Sequence, residues 1–227
     1  MKKRGNRKKK RIVFAIVNGA LLLIMAACLI TTAILSNTLA SQKEASRWRG
    51  ESDMEFSQIS CFIPVDEKIG LEEVSAFRTK LTEELHKAAL DIDNDSTLFV
   101  DAWSCTGKVN VSSDNGKGEA AVIAVGGEFF DFHPIRLISG SYITQRDLMK
   151  DRVLLDEDLA WLLYGGTDIA GLSMKKNGVP YMIAGVVERE QDKFNTAAYT
   201  SGRGLYMSYD GYSQLVEDAG ITCYELV

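Results

Sequence analysis

The chain has 227 residues, a net charge of −5 and 46% hydrophobic residues, so it is long enough to bury a core. Eight of its 26 basic residues lie within residues 1–11, and the remaining chain has 18 basic residues against 31 acidic ones, a net charge of −13. This acidic balance argues against a nucleic-acid partner. The basic segment is interpreted as a topology signal that contacts anionic membrane lipid, or as a solvated charge run with no partner.

A transmembrane helix is predicted directly after the basic segment. Residues 12–35 carry no charge, and as a helix these 24 residues would be roughly 36 Å long, enough to cross a bilayer. The basic flank, residues 1–11, predicts a cytoplasmic N-terminus and an extracytoplasmic location for everything after residue 35. The alternative is a cleaved signal peptide ending near Thr38-Leu39-Ala40, although a signal peptide normally has a shorter apolar region.

The next residues predict a stalk and then a strand, helix and strand unit. Residues 36–50 are polar and contain no proline, so the membrane helix is expected to continue as a stalk. An amphipathic helix is predicted over 71–90, because apolar residues recur at spacings of three and four between acidic and basic ends. The strand-like segments are Met54–Pro64, Thr97–Trp103, Lys108–Val111 and Glu119–Val125. This helix is expected to pack its apolar stripe on a sheet.

An ordered series of local signals follows between Ile138 and Glu188. Val153–Leu155 predicts a buried strand, and Asp156 then caps a short helix that ends at Gly165-Gly166. Asn177-Gly178 predicts the tip of a β-hairpin between Leu172–Lys175 and Tyr181–Val187. The C-terminal part predicts a strand at Leu205–Ser208, a helix at Tyr212–Ala219 ended by Gly220, and a strand at Ile221–Val227.

This order of elements resembles the extracytoplasmic core domain of MacB/FtsX-type ABC transporter permeases. The resemblance lies in Gly140-Ser141-Tyr142-Ile143-Thr144, the strand and helix ending at Tyr164-Gly165-Gly166, Ile169-Ala170-Gly171, and Asn177-Gly178-Val179-Pro180-Tyr181 followed by Gly185-Val186-Val187. Ala170 departs from the family, which usually has glycine there.

The resemblance implies an α+β fold with a single N-terminal transmembrane helix and a two-lobed extracytoplasmic domain. Residues 51–132 and 204–227 would form the first lobe, and residues 133–203 an inserted second lobe. Family members of the full type continue into three further membrane helices, and this sequence stops at Val227. The chain is therefore expected to be either a truncated or variant permease, or a self-standing single-pass relative.

The cysteines do not form a recognisable framework. Cys28 lies in the predicted membrane span, which leaves Cys61, Cys105 and Cys223 outside, an odd number. Cys61 and Cys105 would be able to pair if their strands were neighbours, and three buried free thiols are the other interpretation. No Cys-x-x-Cys spacing is present, which argues against a zinc or thioredoxin-like site.

No catalytic, cofactor-binding or metal-binding residue is predicted. Gly116-Lys117-Gly118 lacks the first glycine of a phosphate loop, and Asp91, Asp93 and Asp95 lack the glycine and glutamate of a calcium loop. The two histidines, His86 and His133, are interpreted as a surface residue at a helix C-terminus and a loop residue at the lobe boundary. The clustered tyrosines, among them Tyr206 and Tyr224, suit either an exposed interaction face or, more commonly, half-buried strands.

Three functions are therefore weighed. The resemblance implies a non-enzymatic permease component that binds a partner or substrate outside the membrane and couples it to a separate cytoplasmic ATPase subunit. Its other partners would be membrane lipid, further permease chains or a second copy of this chain. The alternative is a self-standing, single-pass interaction or sensor protein. An extracytoplasmic hydrolase is the third, disfavoured because no nucleophile and base motif is present.

Overall fold

A computed structural model describes residues 2–38, 44–51, 56–88, 98–189, 203–216 and 219–227. The chain divides into two compact units, Met1–Ser57 and Gln58–Val227. The first unit contains helices α1, Lys2–Thr38, and α2, Glu44–Arg49. Within α1, Arg11–Leu35 has a mean hydropathy of 2.6 and is long and apolar enough to cross a membrane. The helix begins before the predicted span, so the basic segment is helical as well.

Within the described residues, the second unit is built on one nine-stranded sheet. Its strands are β1 Ile59–Phe62, β2 Asp101–Ser112, β3 Lys117–Gly127, β4 Leu137–Gly140, β5 Arg152–Asp156, β6 Ser173–Lys176, β7 Val179–Val187, β8 Arg203–Ser208 and β9 Cys223–Leu226. They are arranged in the order β1-β9-β2-β3-β8-β5-β7-β4, and β6 pairs with both β2 and β7. The helices are α3 Leu71–Lys87, α4 Phe129–Phe132, α5 Glu157–Tyr164 and α6 Tyr209–Ser213. The predicted α+β fold is confirmed.

The core lies under α5, which packs on β3, β5, β7 and β8. Residues of these strands and of the helix form one buried cluster: Val122, Leu155, Ile183, Leu205 and Met207 from the strands, and Leu159 and Leu163 from α5. Burying side chains of this size stabilises a fold by about 1.5–3 kcal/mol each relative to exposure. The pairing of β8 with β3 is parallel and its pairing with β5 is antiparallel, so β8 joins the two halves of the sheet.

The predicted strand, helix and hairpin between 153 and 187 is confirmed. The Asp156 carboxylate accepts a hydrogen bond from the backbone N–H of Leu159 at 2.7 Å, and Gly165 ends α5 in the left-handed conformation with φ 74°. The hairpin of β6 and β7 turns at Asn177 and Gly178, with φ of 50° and 84°. Positive φ at both positions is the property of a type I′ turn, for which Asn-Gly is the preferred pair.

Several other predictions are corrected by the structure. The predicted segments 97–103 and 108–111 meet in one long strand, β2, which begins at Asp101 and continues through Gly107 because it pairs with β3 along its length, whereas Thr97 lies outside the described residues. The helix predicted at 212–219 instead begins at Tyr209, where the Ser208 hydroxyl caps it, and ends at Ser213. Of the apolar stripe on α3, Val74 is buried, whereas Leu71 and Phe77 are 36% and 47% exposed. The apolar stripe of α3 is thus only partly buried.

The cysteines are free thiols. Cys61 is exposed, which contradicts three buried thiols, and β9 separates β1 from β2, so Cys61 and Cys105 are not on neighbouring strands. Burial raises the pKa of Cys105 to about 12. The pKa of Cys223 is also raised to about 12, by burial and by the charges of Glu225 and Cys61. Burial therefore favours the protonated form of both thiols over the thiolate.

The division into two lobes stays a prediction. Strands of both predicted lobes share the sheet, and they meet at β5 with β8 and at β2 with β6. Asp156 connects β5 to β8 at the first of these contacts, because its carboxylate also accepts a hydrogen bond from the backbone N–H of Gly204 at 2.6 Å. Burial raises the pKa of Asp156, although the two backbone hydrogen bonds and Arg189 oppose this shift.

We expect Gly178→Val to destabilise the domain by about 1 kcal/mol, because a β-branched residue is strained at positive φ. The space around a Cβ at Gly178 is open, so the cost is conformational. Gly166→Val is the matched control, since its surroundings are also open and its φ is not positive. Equal urea midpoints for the two variants of residues 58–227 would contradict the turn type.

We expect Asp156→Ala to cost about 2–4 kcal/mol, because it removes a helix cap and leaves the buried N–H of Leu159 and the partly buried N–H of Gly204 without their acceptor. Asp158→Ala, which breaks an exposed ion pair with Arg189 in the same helical turn, should cost less than about 1 kcal/mol. Free energies of unfolding from urea titrations give the comparison. Similar losses of unfolding free energy in both variants would show that Asp156 does not stabilise the contact between β5 and β8.

Candidate functional site

The residues weighed as chemical sites are dispersed in the structure. Gly116 lies in the turn between β2 and β3, where a Cβ would approach the backbone oxygen of Leu162 to 2.3 Å, so close packing on α5 explains this glycine. His86 lies in the last turn of α3, as predicted. The aspartates at 91, 93 and 95 lie outside the described residues. The described part of the chain contains no group of three or more His, Cys, Asp or Glu side chains able to hold a metal.

His133 ends α4 and contacts a buried carboxylate that the sequence did not reveal. Its Nε2 lies 2.5 Å from Oε2 of Glu225, a β9 residue that is 4% exposed. The other oxygen of Glu225 accepts hydrogen bonds from Ser60 at 2.8 Å and Gln58 at 3.2 Å. Burial alone would raise the pKa of Glu225, but the hydrogen bond and charge of His133 and the hydrogen bonds of Ser60 and Gln58 outweigh it and lower the pKa.

The order of groups in this cluster suits structure rather than catalysis. In a catalytic triad the histidine stands between the nucleophile and the carboxylate, so that it can take the proton of the nucleophile. Here the carboxylate of Glu225 stands between Ser60 and His133. His133 therefore does not contact the Ser60 hydroxyl, and the cluster ties β1 and the end of α4 to β9.

A second buried carboxylate, Asp101, organises the start of β2. Its side chain accepts a hydrogen bond from the hydroxyl of Tyr224 at 2.6 Å and pairs with Nε of Arg78 at 3.1 Å. Burial, then the hydrogen bond and charge of Asp101, raise the pKa of Tyr224 well above its usual range. The Arg78 guanidinium lies 5.9 Å from the ring centre of Trp103, in cation–π range. Arg78 is thus fixed over Trp103 by a buried anion.

This arrangement forms the floor and rim of a groove of about 190 Å³, here named the α3 groove. Its α3 residues recur at helical spacing on one face, and β2, the segment after β4 and α6 supply the rest: Leu71, Val74, Ser75, Arg78, Trp103, Gln145 and Asp210. A smaller cavity adjoins it at Trp103, Gln145 and Asp210. The indole Nε1 of Trp103 is buried, and the described residues supply no acceptor for it.

The loop that supplies Gln145 is firmly held, yet it exposes two apolar side chains. Asp147 accepts a hydrogen bond from the backbone N–H of Thr144, and Lys150 donates to the backbone oxygen of Gln145 and pairs with Asp210 at 3.6 Å. Between these anchors Leu148 is 97% exposed and Met149 is 64% exposed. Most of the surface of both residues is in solvent, so their apolar side chains are available to a partner.

The described tyrosines do not form an exposed face. Tyr206, Tyr209, Tyr212 and Tyr224 are each buried to 7% exposure or less. Tyr206 and Tyr224 lie in strands, as the more common interpretation from the sequence had it, but they are buried and not half-buried, and Tyr209 and Tyr212 lie in α6. Tyr199 of the same cluster lies outside the described residues.

Sequence reasoning did not identify the α3 groove. The one available signal was the apolar stripe of the predicted helix, which includes Leu71 and Val74 and is interpreted above as packed on the sheet; Arg78 was not part of it. Trp103, Gln145 and Asp210 come from three distant segments and carry no common motif. Their meeting depends on the strand order.

Comparisons with known proteins place the chain in a family. The family model described as MacB-like periplasmic core domain matches residues 14–223. No curated protein sequence matches the chain. Solved structures with a similar fold include the extracellular domain of the noncanonic ABC-type transporter YknZ from Gram-positive bacteria, which is 14% identical with a TM-score of 0.48 over 75% of this chain and 83% of that one.

Two further structures are similar over smaller shares. The periplasmic region of MacB from Actinobacillus actinomycetemcomitans is 17% identical with a TM-score of 0.45, covering 58% of this chain and 59% of that one. A domain of a putative permease protein from Porphyromonas gingivalis is 17% identical with a TM-score of 0.39, covering 62% and 64%. The family match, which runs from within α1 to the first residue of β9, shows that the chain belongs to the MacB-like periplasmic core domain family of ABC-type transporter permeases.

Proposed function

We propose that this chain is a non-enzymatic component of an ABC transporter, in which the extracytoplasmic domain binds a partner or substrate and couples that binding to a separate cytoplasmic ATPase. The observation that carries the proposal is the extent of the family match, because residues 14–223 include both the apolar helix and the sheet domain. Anchor and domain therefore belong to one functional unit, through which a change outside can reach the membrane.

The lack of a phosphate loop in this sequence supports the proposal of a separate ATPase. Nucleotide hydrolysis by an ABC system needs a phosphate loop whose backbone N–H groups surround the phosphates. Gly116-Lys117-Gly118 is the nearest sequence in this chain, and its glycine is required by packing against α5. The ATPase is accordingly assigned to another polypeptide, and this chain is assigned the binding and the transmission.

Transmission is proposed to use relative movement of the two predicted lobes, 133–203 against 51–132 and 204–227. The lobes meet at β5 with β8, and at a more exposed contact where Lys175 pairs with Asp114 at 3.3 Å. The side chains of Lys175 and Asp114 are 51% and 92% exposed, so this second contact is weak. A movement that opens it would turn about the core under α5, which the two predicted lobes share because α5 packs on β3 and β8 as well as on β5 and β7.

The orientation of the anchor gives the first test. We expect a cysteine at Asp114, in a Cys61→Ser background, to react with a membrane-impermeant maleimide in intact cells, because the basic residues ahead of the span keep the N-terminus inside. A cysteine at Asn6 should react only after the cells are opened. The reverse pattern would overturn the orientation.

The coupling gives the second test. We expect the purified chain alone to hydrolyse no ATP, and an assembled complex with its ATPase to change its rate when cysteines at Asp114 and Lys175 are joined by a short bifunctional maleimide. The physical reason is that the link fixes the two predicted lobes at their exposed contact. The measurement is steady-state ATPase activity before and after linking in the same preparation.

A matched pair controls for modification itself. Lys108 and Glu119 form an exposed ion pair at 3.2 Å across β2 and β3, both within the first predicted lobe. Linking cysteines at these positions should leave the rate unchanged. Equal effects of both links would count against lobe movement, and a chain that neither associates with an ATPase nor alters one would instead support an anchored sensor protein.

A further inference from the structure

The size of the α3 groove restricts what it can hold. Pockets for drug-sized ligands usually measure about 300–1,000 Å³, and a water molecule takes about 30 Å³. At about 190 Å³ the groove lies between these limits. Its walls at Leu71 and Val74 are apolar and its floor is the Trp103 ring. These dimensions and surfaces suit one bulky apolar side chain.

The charge at the rim of the groove restricts the occupant further. Arg78 uses Nε to pair with Asp101 at 3.1 Å, and its side chain remains 44% exposed. A guanidinium carries five N–H donors in a planar fork, so its terminal nitrogens remain able to bind a carboxylate. The acidic residue of the groove, Asp210, is paired with Lys150, which reduces the repulsion that it exerts on an incoming anion. The rim is thus complementary to a negative charge.

The exposed tip beside the groove favours a protein as the source of that charge. Leu148 and Met149 follow Gln145 by three and four residues in the same held loop and project from the surface. A small anionic ligand can fill a groove but cannot cover a projecting apolar pair. A folded partner can do both.

We propose that the α3 groove binds a segment of a partner protein in which an apolar side chain stands next to a carboxylate. The apolar side chain lies between Leu71, Val74 and the Trp103 ring, and the carboxylate pairs with Arg78. The proposal rests on the proposed function, since it assigns to this groove the binding of the extracytoplasmic partner.

The three tryptophans of the chain give a direct test. Trp103 forms the floor of the groove, whereas Trp161 lies 60% exposed on α5 and Trp48 lies in the first unit. The full chain is labelled with 5-fluorotryptophan, placed in lipid nanodiscs and titrated with the blocked dipeptides acetyl-Leu-Glu-amide and acetyl-Leu-Lys-amide. Fluorine NMR then reports each tryptophan separately.

We expect the glutamate dipeptide to shift the Trp103 signal saturably and leave the Trp161 signal in place. The lysine dipeptide should bind about tenfold more weakly, since it lacks a charge-assisted hydrogen bond. Arg78→Gln should weaken binding of the glutamate dipeptide by about tenfold. Lys80→Gln, which removes the same charge from an exposed position outside the groove on the same helix, should not change it.

A second variant guards against loss of the fold in Arg78→Gln. Leu71 is the first residue of α3, where an acidic side chain favours the helix, so Leu71→Asp is expected to fold and to repel the glutamate dipeptide. An unmoved Trp103 signal through about 10 mM dipeptide, tenfold above a millimolar Kd, would overturn the proposal. So would equal shifts of Trp103 and Trp161, equal binding of both dipeptides, or full binding by Leu71→Asp.

This titration needs no ATPase, so its outcome is separable from that of the proposed function. A groove that fails to bind the dipeptide, in a chain that still alters the ATPase rate, would reject the groove and retain the coupling. A groove that binds, in a chain with no effect on any ATPase, would reject the coupling and retain the groove.

Discussion

Strand β8 is the element on which the sheet domain depends, because it hydrogen-bonds to β3 on one side and to β5 on the other. These partners are separated from β8 by about 80 and 50 residues of chain, so the pairing closes long loops and carries an entropic cost. Burial offsets this cost: Leu205 and Met207 are 1% exposed beneath α5. Without β8 the two halves of the sheet would be joined only by the single pairing of Ser112 in β2 with Lys175 in β6, among the described residues.

Three buried carboxylates stabilise the contacts between helices and strands of the sheet domain. Asp156 connects the start of α5 to β8, Asp101 connects β2 to Tyr224 and Arg78, and Glu225 connects β9 to His133 and β1. Each is 4% exposed, and a buried charge is costly unless it is hydrogen-bonded. The three acids therefore specify which elements meet, since a displaced element would leave one of them unpaired.

Ion pairs of this kind also position the surfaces that are proposed for binding. Asp101 fixes Arg78 over Trp103, and Lys150 bridges the loop after β4 to Asp210 on α6. The α3 groove and the exposed Leu148 thus stand on rigid supports, which lowers the ordering cost of binding a partner.

The sequence by itself determined the features that depend on neighbouring residues. The cap at Asp156, the helix end at Gly165 and the turn at Asn177-Gly178 follow from backbone preferences that act within about four residues. The uncharged span and the order of strand, helix and hairpin are local in the same sense, and they sufficed for the resemblance to the family. The beginning of α6 at Tyr209 was missed because its Ser208 cap resembles the end of a strand.

Only the tertiary structure decided the strand order and the clusters that depend on it. Glu225 meets His133 across 92 residues, and Tyr224 meets Asp101 across 123. No local preference relates residues so far apart, because their contact follows from which strands pair and in which register. The α3 groove belongs to this class: its helical face was visible as a pattern, but whether the sheet would cover that face or leave it open was set by the packing of the whole domain.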